Sequence, residues 1–300
     1  MGTRPFTQIK EKEVFEILEL FFSNGGQYVD TSFFYGYGKV EKMIGKFNRF
    51  YQPQAIYISK IGYFTNLEDY KNINKLQEAV QKSMENLFYH PKYILFHEAD
   101  WDVWWSKTKQ LGNLINLKKL NEINYQIYYQ FSSFLKSLDI LPGISGNNAH
   151  IIEELLALNP HLVLLSKQYD LLWRNGKNLI SSAKENKFFL CLGAPFHQGW
   201  LFKLKNLIKK RPQFKKEIEE LIEVITNASY PLDHIALNFL LQSTKNNVVF
   251  GVTTKEELLQ NIKNSLEVLP EDLIQKLEAI NIFSSPMYGP LKILTGVENG

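Results

Sequence analysis

Apolar residues recur at helical spacing from the start of the chain: Val14, Ile17, Leu18, Phe21 and Phe22 share one face of a helix predicted over 11–24. A short aromatic and β-branched run follows near 27–30, and the same alternation repeats to the end of the chain. It predicts strands near 27–30, 55–59, 92–96, 139–144, 161–166, 187–192 and 247–251. Helices are predicted near 11–24, 38–48, 69–88, 115–137, 148–158, 176–186, 229–242, 255–267 and 270–281. Leu258, Leu259, Ile262 and Leu266 repeat the helical pattern after the last strand. Strands alternating with helices predict parallel βαβ units, the α/β class, and here a (β/α)8 TIM barrel. Seven predicted strands fall one short of the eight a barrel needs. The missing one must come first, from MGTRPF, and so is expected to be shortened. The Lys-, Glu- and Leu-rich stretch 201–228 exceeds what a crossover needs and reads as a helical insertion. No Pro/Gly/Ser-rich linker interrupts the pattern, so one domain over 1–300 is expected.

Composition narrows the classes. The 300 residues accommodate one barrel of about 250 residues. A hydrophobic share of 45% with 22% charged residues is that of a soluble globular protein. The 34 basic residues are scattered among 31 acidic ones, for a net charge of +3, which argues against a nucleic-acid surface. The single cysteine, Cys191, excludes an intrachain disulfide and a Cys-based zinc site, and its apolar setting FFLCLG reads as structural. No 18-residue apolar run predicts a membrane span, and the start lacks the apolar core of a signal peptide, so a cytoplasmic location is expected.

Candidate chemistry sits just after three successive predicted strands: Asp30 with Tyr35, then Lys60, then His97. Functional groups delivered from successive strand ends are the layout of a barrel active site. A carboxylate there needs a partner, and Lys60 is the natural one. The ammonium would then stand beside the Tyr35 hydroxyl, favour phenolate, and draw its pKa down from about 10. His97 would orient a substrate carbonyl. Singly, each residue has a plainer reading: a turn cap, a packed tyrosine, a surface lysine, a core histidine. Their joint placement is what points to catalysis. His97-Glu-Ala-Asp100 lacks the H-E-x-x-H spacing, so no metal is expected. Gly36-Tyr-Gly38 lacks the third glycine of a Rossmann fingerprint.

The segment DTSFFYGYGKVEKMIG closely resembles the aldo-keto reductase signature D-T-A-x-x-Y-G-x-G-x-S-E-x-x-x-G, matching at Asp30, Thr31, Tyr35, Gly36, Gly38, Glu41 and Gly45. Lys60 and His97 fall where that family has its other catalytic residues, and the resemblance extends over nearly the whole chain. It implies hydride transfer between NADP or NAD and a carbonyl or sugar lactol carbon. Tyr35 would act as general acid/base, supported by Asp30, Lys60 and His97. It also implies cofactor contacts from Gly2, Thr3 and Asp30, from Ser145 in LPGISGNN, and from Gln168 in LLSKQYDLL. Further contacts would come from Ala194, Pro195, Phe196 and Gly199 in APFHQGWL, and from Gly251, Thr253, Lys255, Glu257 and Asn261 in GVTTKEELLQNI. The APFHQGWL segment is similar to the aldose (fucose, galactose or threo-aldose) dehydrogenase branch.

Gly146 replaces an Asn usual in the family, and the 251–261 loop offers Lys255 as its cation beside Glu256 and Glu257. The choice between NAD and NADP therefore stays open. Phe34, Trp101, Trp104, Trp173 and His197 are the candidate substrate contacts, in an aromatic mouth suited to sugar C–H faces or to an aromatic aldehyde. The partners expected are a small carbonyl or sugar substrate and, at most, further copies of this chain (monomer or small homo-oligomer). Two other classes remain: a nucleotide-sensing or nucleotide-binding subunit, and a non-redox biosynthetic enzyme using the same four residues.

Overall fold

The computed structural model describes residues 1–107, 110–186 and 188–280. Its first elements are α1 (Glu11–Ser23), β1 (Tyr28–Asp30), α2 (Lys39–Tyr51), β2 (Ile56–Ile61), α3 (Ile73–Leu87), β3 (Tyr93–Phe96), α4 (Gln126–Ser137) and β4 (Leu141–Gly146). Then come α5 (Ala149–Glu154), β5 (Leu162–Ser166), α6 (Lys177–Asn186), β6 (Phe189–Gly193), α7 (Leu204–Lys210), α8 (Lys215–Asn227), α9 (Leu232–Thr244), β7 (Asn247–Val249), α10 (Lys255–Leu266) and α11 (Glu271–Ala279). The strands lie in the sheet in chain order, β1 to β7. Parallel pairing of β1 with β2, β2 with β3, β3 with β4 and β6 with β7 fits the (β/α)8 barrel class.

Every predicted strand is found within two residues of its expected limits, β7 being shorter than expected. The 201–228 stretch is helical, as α7 and α8 joined by a 3-10 turn at Pro212–Phe214. The predicted helix 115–137 is regular only as α4. Its first part holds a 3-10 segment, Leu117–Glu122, with a kink at Lys119. Asn281, at the end of the helix predicted over 270–281, lies outside the described residues.

The chain packs as two compact units interleaved in sequence. The first comprises Met1–Gly146, Glu154–Val163 and Gly251–Leu258; the second comprises Asn147–Glu153, Leu164–Phe250 and the chain from Leu259 on. In the first, α1 buries Val14, Ile17, Leu18 and Phe21, while Glu11 and Glu13 occupy its first turn. The Lys10 N–H donates to Glu13 Oε2 at 2.7 Å, satisfying one of the donors a helix start leaves open. The shortened first strand is reduced to one residue. Gly2 makes parallel bridges to Asp30 on one side and Gly251 on the other. Asp30 is held there twice: its N–H donates to Met1 O at 2.8 Å, and its carbonyl accepts from Thr3 N–H at 2.9 Å.

In the second unit, Tyr169 stacks on Phe239 at 5.9 Å. The buried Arg174 guanidinium lies 4.3 Å from the Phe239 ring centroid and caps the Leu277 carbonyl at 3.0 Å.

Helices α2 and α3 of the first unit approach closely at Gly45, where a Cβ would collide with the Asn86 carbonyl oxygen and press on Phe88. Gly45→Ala is expected to destabilise the protein by about 1–3 kcal/mol, the usual cost of overpacking, read as a lower urea midpoint at unchanged slope.

Candidate active site

The end of β1, the loop after it, β2 and the end of β3 bring Asp30, Tyr35, Lys60 and His97 together within the first unit. In the β2–β3 register Lys60 lies opposite Leu95, and the His97 N–H continues the ladder to Ile61 O at 2.8 Å. Lys60 is 2% exposed and Asp30 5%, so each charge depends on close partners. The Lys60 ammonium meets Asp30 Oδ1 at 2.6 Å and donates to Thr31 O at 2.9 Å and to Tyr35 Oη at 3.2 Å. Its three protons thus have three acceptors.

The Asp30 carboxyl is raised by burial against the pull of Lys60. For Lys60, burial works against the charged form, but Asp30 and Tyr35 outweigh it and the ammonium is held above its ordinary value. The phenol of Tyr35 departs from expectation. Burial raises it, Lys60 opposes, and the Asp30 carboxylate adds to the rise, leaving the hydroxyl above its ordinary value. In this low-dielectric setting desolvation of the phenolate outweighs one cation that already shares its charge with a carboxylate.

His97 is pushed well below its ordinary value, first by burial and then by the charges of Lys60 and Arg4. It is a neutral imidazole at neutral pH. Its Nδ1 lies 3.1 Å from Ser32 Oγ. If the serine hydroxyl donates there, Nε2 carries the ring proton and can donate to a substrate oxygen.

Glu41 of the signature does not touch the reacting groups. Fully buried, it accepts from Ser59 Oγ at 2.8 Å and Asn86 Nδ2 at 3.2 Å, tying α2 to β2 and α3 directly beneath Lys60.

An aromatic wall stands beside His97. Phe34 stacks on Tyr63 at 3.6 Å; the Tyr63 ring meets His97 edge-on at 4.8 Å and Trp101 at 5.0 Å. The Tyr63 hydroxyl donates to Glu98 Oε1 at 3.2 Å. Both Tyr63 and Glu98 have left-handed φ, 57° and 53°, a conformation uncommon outside glycine that clusters at functional sites. Neither was singled out from sequence, and nor was Ser32. Their positions, three after Lys60 and one after His97, are the only signal that could have found them.

Of the candidate substrate contacts, Phe34 and Trp101 are half-buried beside His97. Trp104 is corrected: it is fully buried, stacks on Phe96 at 3.9 Å, and donates Nε1–H to the His97 carbonyl at 3.0 Å. Trp173 is fully buried in the second unit, so it too packs instead of facing a substrate. His197 is likewise corrected. It is fully buried, with Nδ1 2.6 Å from Asp170 Oδ2, and Asp170 Oδ1 accepts from the Leu172 and Trp173 N–H groups. That pair fastens a loop in which Ala194, His197, Gln198 and Gly199 all have left-handed φ.

The residues expected to hold a cofactor are distributed over both units. In the first, Gly2 and Thr3 pin Asp30, and Ser145 Oγ donates to Phe96 O at 3.2 Å. Thr253 gives its N–H and hydroxyl to Glu257 Oε2 at 2.6 and 3.0 Å, and Lys255 pairs with Glu16 at 2.9 Å. Gly251 packs against Pro5. In the second, the Gln168 Oε1 accepts from Ala149 N–H at 3.1 Å, its amide reaches Lys167 O only at 3.4 Å, and Asn261 is buried. Ala194, Pro195, Phe196 and Gly199 belong to the left-handed loop. Among the described residues no group of three or more His, Cys, Asp or Glu could hold a metal ion, and no helix is long and apolar enough to cross a membrane.

A barrel-class fold thus gathers buried Asp30 and Lys60, half-buried Tyr35 and a neutral His97 at the ends of successive strands. The model of the aldo/keto reductase family matches residues 1–282, so the chain belongs to that family. A search of curated proteins gave no match. Among solved structures it is similar to aldo-keto reductase AKR11C1 from Bacillus halodurans in its holo form, with TM-score 0.72, 16% identity, and 96% of this chain and 94% of that one covered. It is also similar to an aldo/keto reductase from Klebsiella pneumoniae in complex with NADP and acetate, with TM-score 0.66, 14% identity, and 93% and 89% covered. At such identities the structural likeness speaks for the fold.

The imidazole shift sets a pH dependence of stability. Folded His97 resists protonation, while the unfolded chain takes up a proton near pH 6.5, so this group's contribution falls as pH drops below about 6.5. His97→Gln is expected to lose less stability than the wild type between about pH 7 and 5.5, measured by urea unfolding.

Proposed function

We propose that the protein is an NAD(P)(H)-dependent oxidoreductase interconverting a carbonyl or sugar lactol and the corresponding alcohol or lactone, with Tyr35 as general acid/base. The observation that carries the reading is the buried Lys60 ammonium bridging Asp30 and Tyr35. A nicotinamide, when bound, supplies or accepts the hydride. The chain's own residues handle the proton. Burial keeps the Tyr35 hydroxyl protonated at neutral pH, ready to give its proton to a carbonyl oxygen as negative charge develops there. Lys60, 3.2 Å away, stabilises the phenolate left behind. Neutral His97 holds the same oxygen through Nε2–H, its orientation fixed by Ser32 and by Trp104 on its carbonyl. In the oxidative direction the roles reverse.

Within the second unit, the loosely engaged Gln168 amide has hydrogens to offer a carboxamide. Around Thr253, the pairing of Lys255 with Glu16 and the engaged Glu257 carboxylate leave no unpaired cation among the described residues of 251–258. The reading therefore takes NADP or NAD as the cofactor. The aromatic wall of Phe34, Tyr63 and Trp101 suits aldoses and aldehydes, in keeping with the aldose dehydrogenase branch. The reading is of a cytoplasmic enzyme working as a single barrel domain.

Titration with NADPH and NADH, followed by tryptophan fluorescence, with turnover of aldehydes and aldoses, tests this reading. Tyr35→Phe is expected to lower kcat by about 10²- to 10⁴-fold, with nucleotide affinity retained. Lys60→Met should also lower kcat sharply and weaken the fold by leaving Asp30 buried alone. Turnover surviving in Tyr35→Phe would sink the assignment. Tight nucleotide binding without turnover in the wild type would favour the nucleotide-sensing reading.

A further inference from the structure

The loop that holds Tyr35 carries an exposed ring that the chemistry above does not use. Gly36, Tyr37 and Gly38 have three left-handed φ values in a row, 64°, 52° and 85°. Glycine takes that conformation freely, whereas a tyrosine there is a steric outlier of a kind that clusters at ligand clamps and active sites. The turn is held at several points. Tyr37 N–H donates to Phe34 O at 3.3 Å, Gly38 N–H to Phe33 O at 2.6 Å, and Lys39 N–H to Gly36 O at 3.1 Å, where α2 begins. Little packing offsets the strain, since Tyr37 is 76% exposed.

Single exposed aromatics are ordinary on a protein surface. Tyr37 is not single, because it forms the outer end of the aromatic wall. Its ring stands 6.0 Å from Phe34 at 77°, and Phe34 stands 6.0 Å from the His97 imidazole at 79°. Phe34 also stacks on Tyr63 at 3.6 Å, and Tyr63 meets Trp101 at 5.0 Å. Along this series, all within the first unit, exposure falls from Tyr37 through half-buried Phe34 and Tyr63 to buried His97. Two ring-to-ring steps outward from the imidazole exceed the reach of a triose or a small aldehyde. A rigidly based aromatic face is also a contact of low entropic cost for another ring.

We propose that Tyr37 forms an outer subsite for the distal part of the substrate, so that the enzyme acts on carbonyl compounds carrying a second ring beyond the reacting end. This rests on the oxidoreductase reading above. The carbonyl would meet Tyr35 and His97, the adjoining part would lie along Phe34, and the distal ring would rest on Tyr37. That ring has either a C–H face, as in a disaccharide, or a π face, as in an aryl-substituted aldehyde. No covalent step involves Tyr37; its role is binding and orientation.

The test compares matched substrates on the holoenzyme: cellobiose against glucose for a sugar ring, and biphenyl-4-carbaldehyde against benzaldehyde for an aryl ring. The wild type should prefer the longer member of at least one pair by about three- to tenfold in kcat/KM, the range of one aromatic contact, and the pair that shows it identifies the ring. Tyr37→Asn removes the ring and keeps a residue that tolerates the left-handed turn, so it should bring that ratio close to one, mainly through KM. Tyr37→Phe should retain the ratio. An unchanged ratio in Tyr37→Asn would overturn the proposal, as would an equal loss on both members or a lost ratio in Tyr37→Phe. A matching loss of NADPH affinity would assign Tyr37 to the cofactor, and a changed oligomeric state in Tyr37→Asn would assign it to an interface; either overturns the proposal.

A second arm stands apart from turnover. Binding of methyl cellobioside against methyl glucoside, and of biphenyl-4-ylmethanol against benzyl alcohol, is measured by calorimetry with NADPH present, where none of the four can be reduced. Tighter binding of a two-ring member that is lost in Tyr37→Asn, without any turnover of the aldehydes or sugars, would keep this inference while sinking the oxidoreductase reading. Absence of Tyr37-dependent binding in both pairs, together with no preference in turnover, would sink this one.

Discussion

A lysine ammonium with 2% exposure is the constraint on which the first unit's cluster of Asp30, Tyr35 and Lys60 depends. An ammonium taken out of water is tolerated only when its protons meet good acceptors and an opposite charge lies close. Lys60 therefore dictates what surrounds it: a carboxylate from the end of β1, the carbonyl of the next residue, and a phenol from the following loop. Removing any one leaves a buried charge partly uncompensated. The neighbouring architecture keeps these acceptors in place. The Met1 carbonyl and the Thr3 N–H hold the Asp30 backbone, while Glu41 locks Ser59, the residue before Lys60, onto α2 and α3.

The same low dielectric decides the protonation states. A cation beside a phenol is, in water, a reason for a lowered pKa. Here burial penalises the phenolate more than Lys60 favours it, because the lysine's charge is largely answered by Asp30. Tyr35 is thus a protonated phenol beside a cation, and His97 is kept neutral by burial and by two neighbouring positive charges. A pair of groups whose environment fixes opposite proton roles is a common mark of acid/base sites.

The misread residues share a cause. Trp104, Trp173 and His197 follow strand ends in sequence, as the catalytic residues do, and a tryptophan after a strand can line a mouth or fill a core with equal ease. In the fold Trp104 turns inward to stack on Phe96 and brace the His97 carbonyl, and His197 turns inward to Asp170. Both serve the site by holding backbone. Conversely, Tyr63 and Glu98 reach the site through left-handed backbone at non-glycine positions, and Ser32 is an ordinary polar residue whose importance is purely positional.

The sequence by itself determined the order and type of nearly every element and the helical 201–228 stretch. Period-3.6 and strand-like runs are local properties of the chain, and the signature places Asp30 and Tyr35 five residues apart. The tertiary structure alone decided that a single residue, Gly2, stands in for the first strand, because bridging Asp30 and Gly251 depends on partners far apart in sequence. It alone decided which aromatics face the site and which fill the core, and whether cation or burial prevails at Tyr35. Those outcomes are set by the density of atoms around each group, and that density exists only once distant segments have packed.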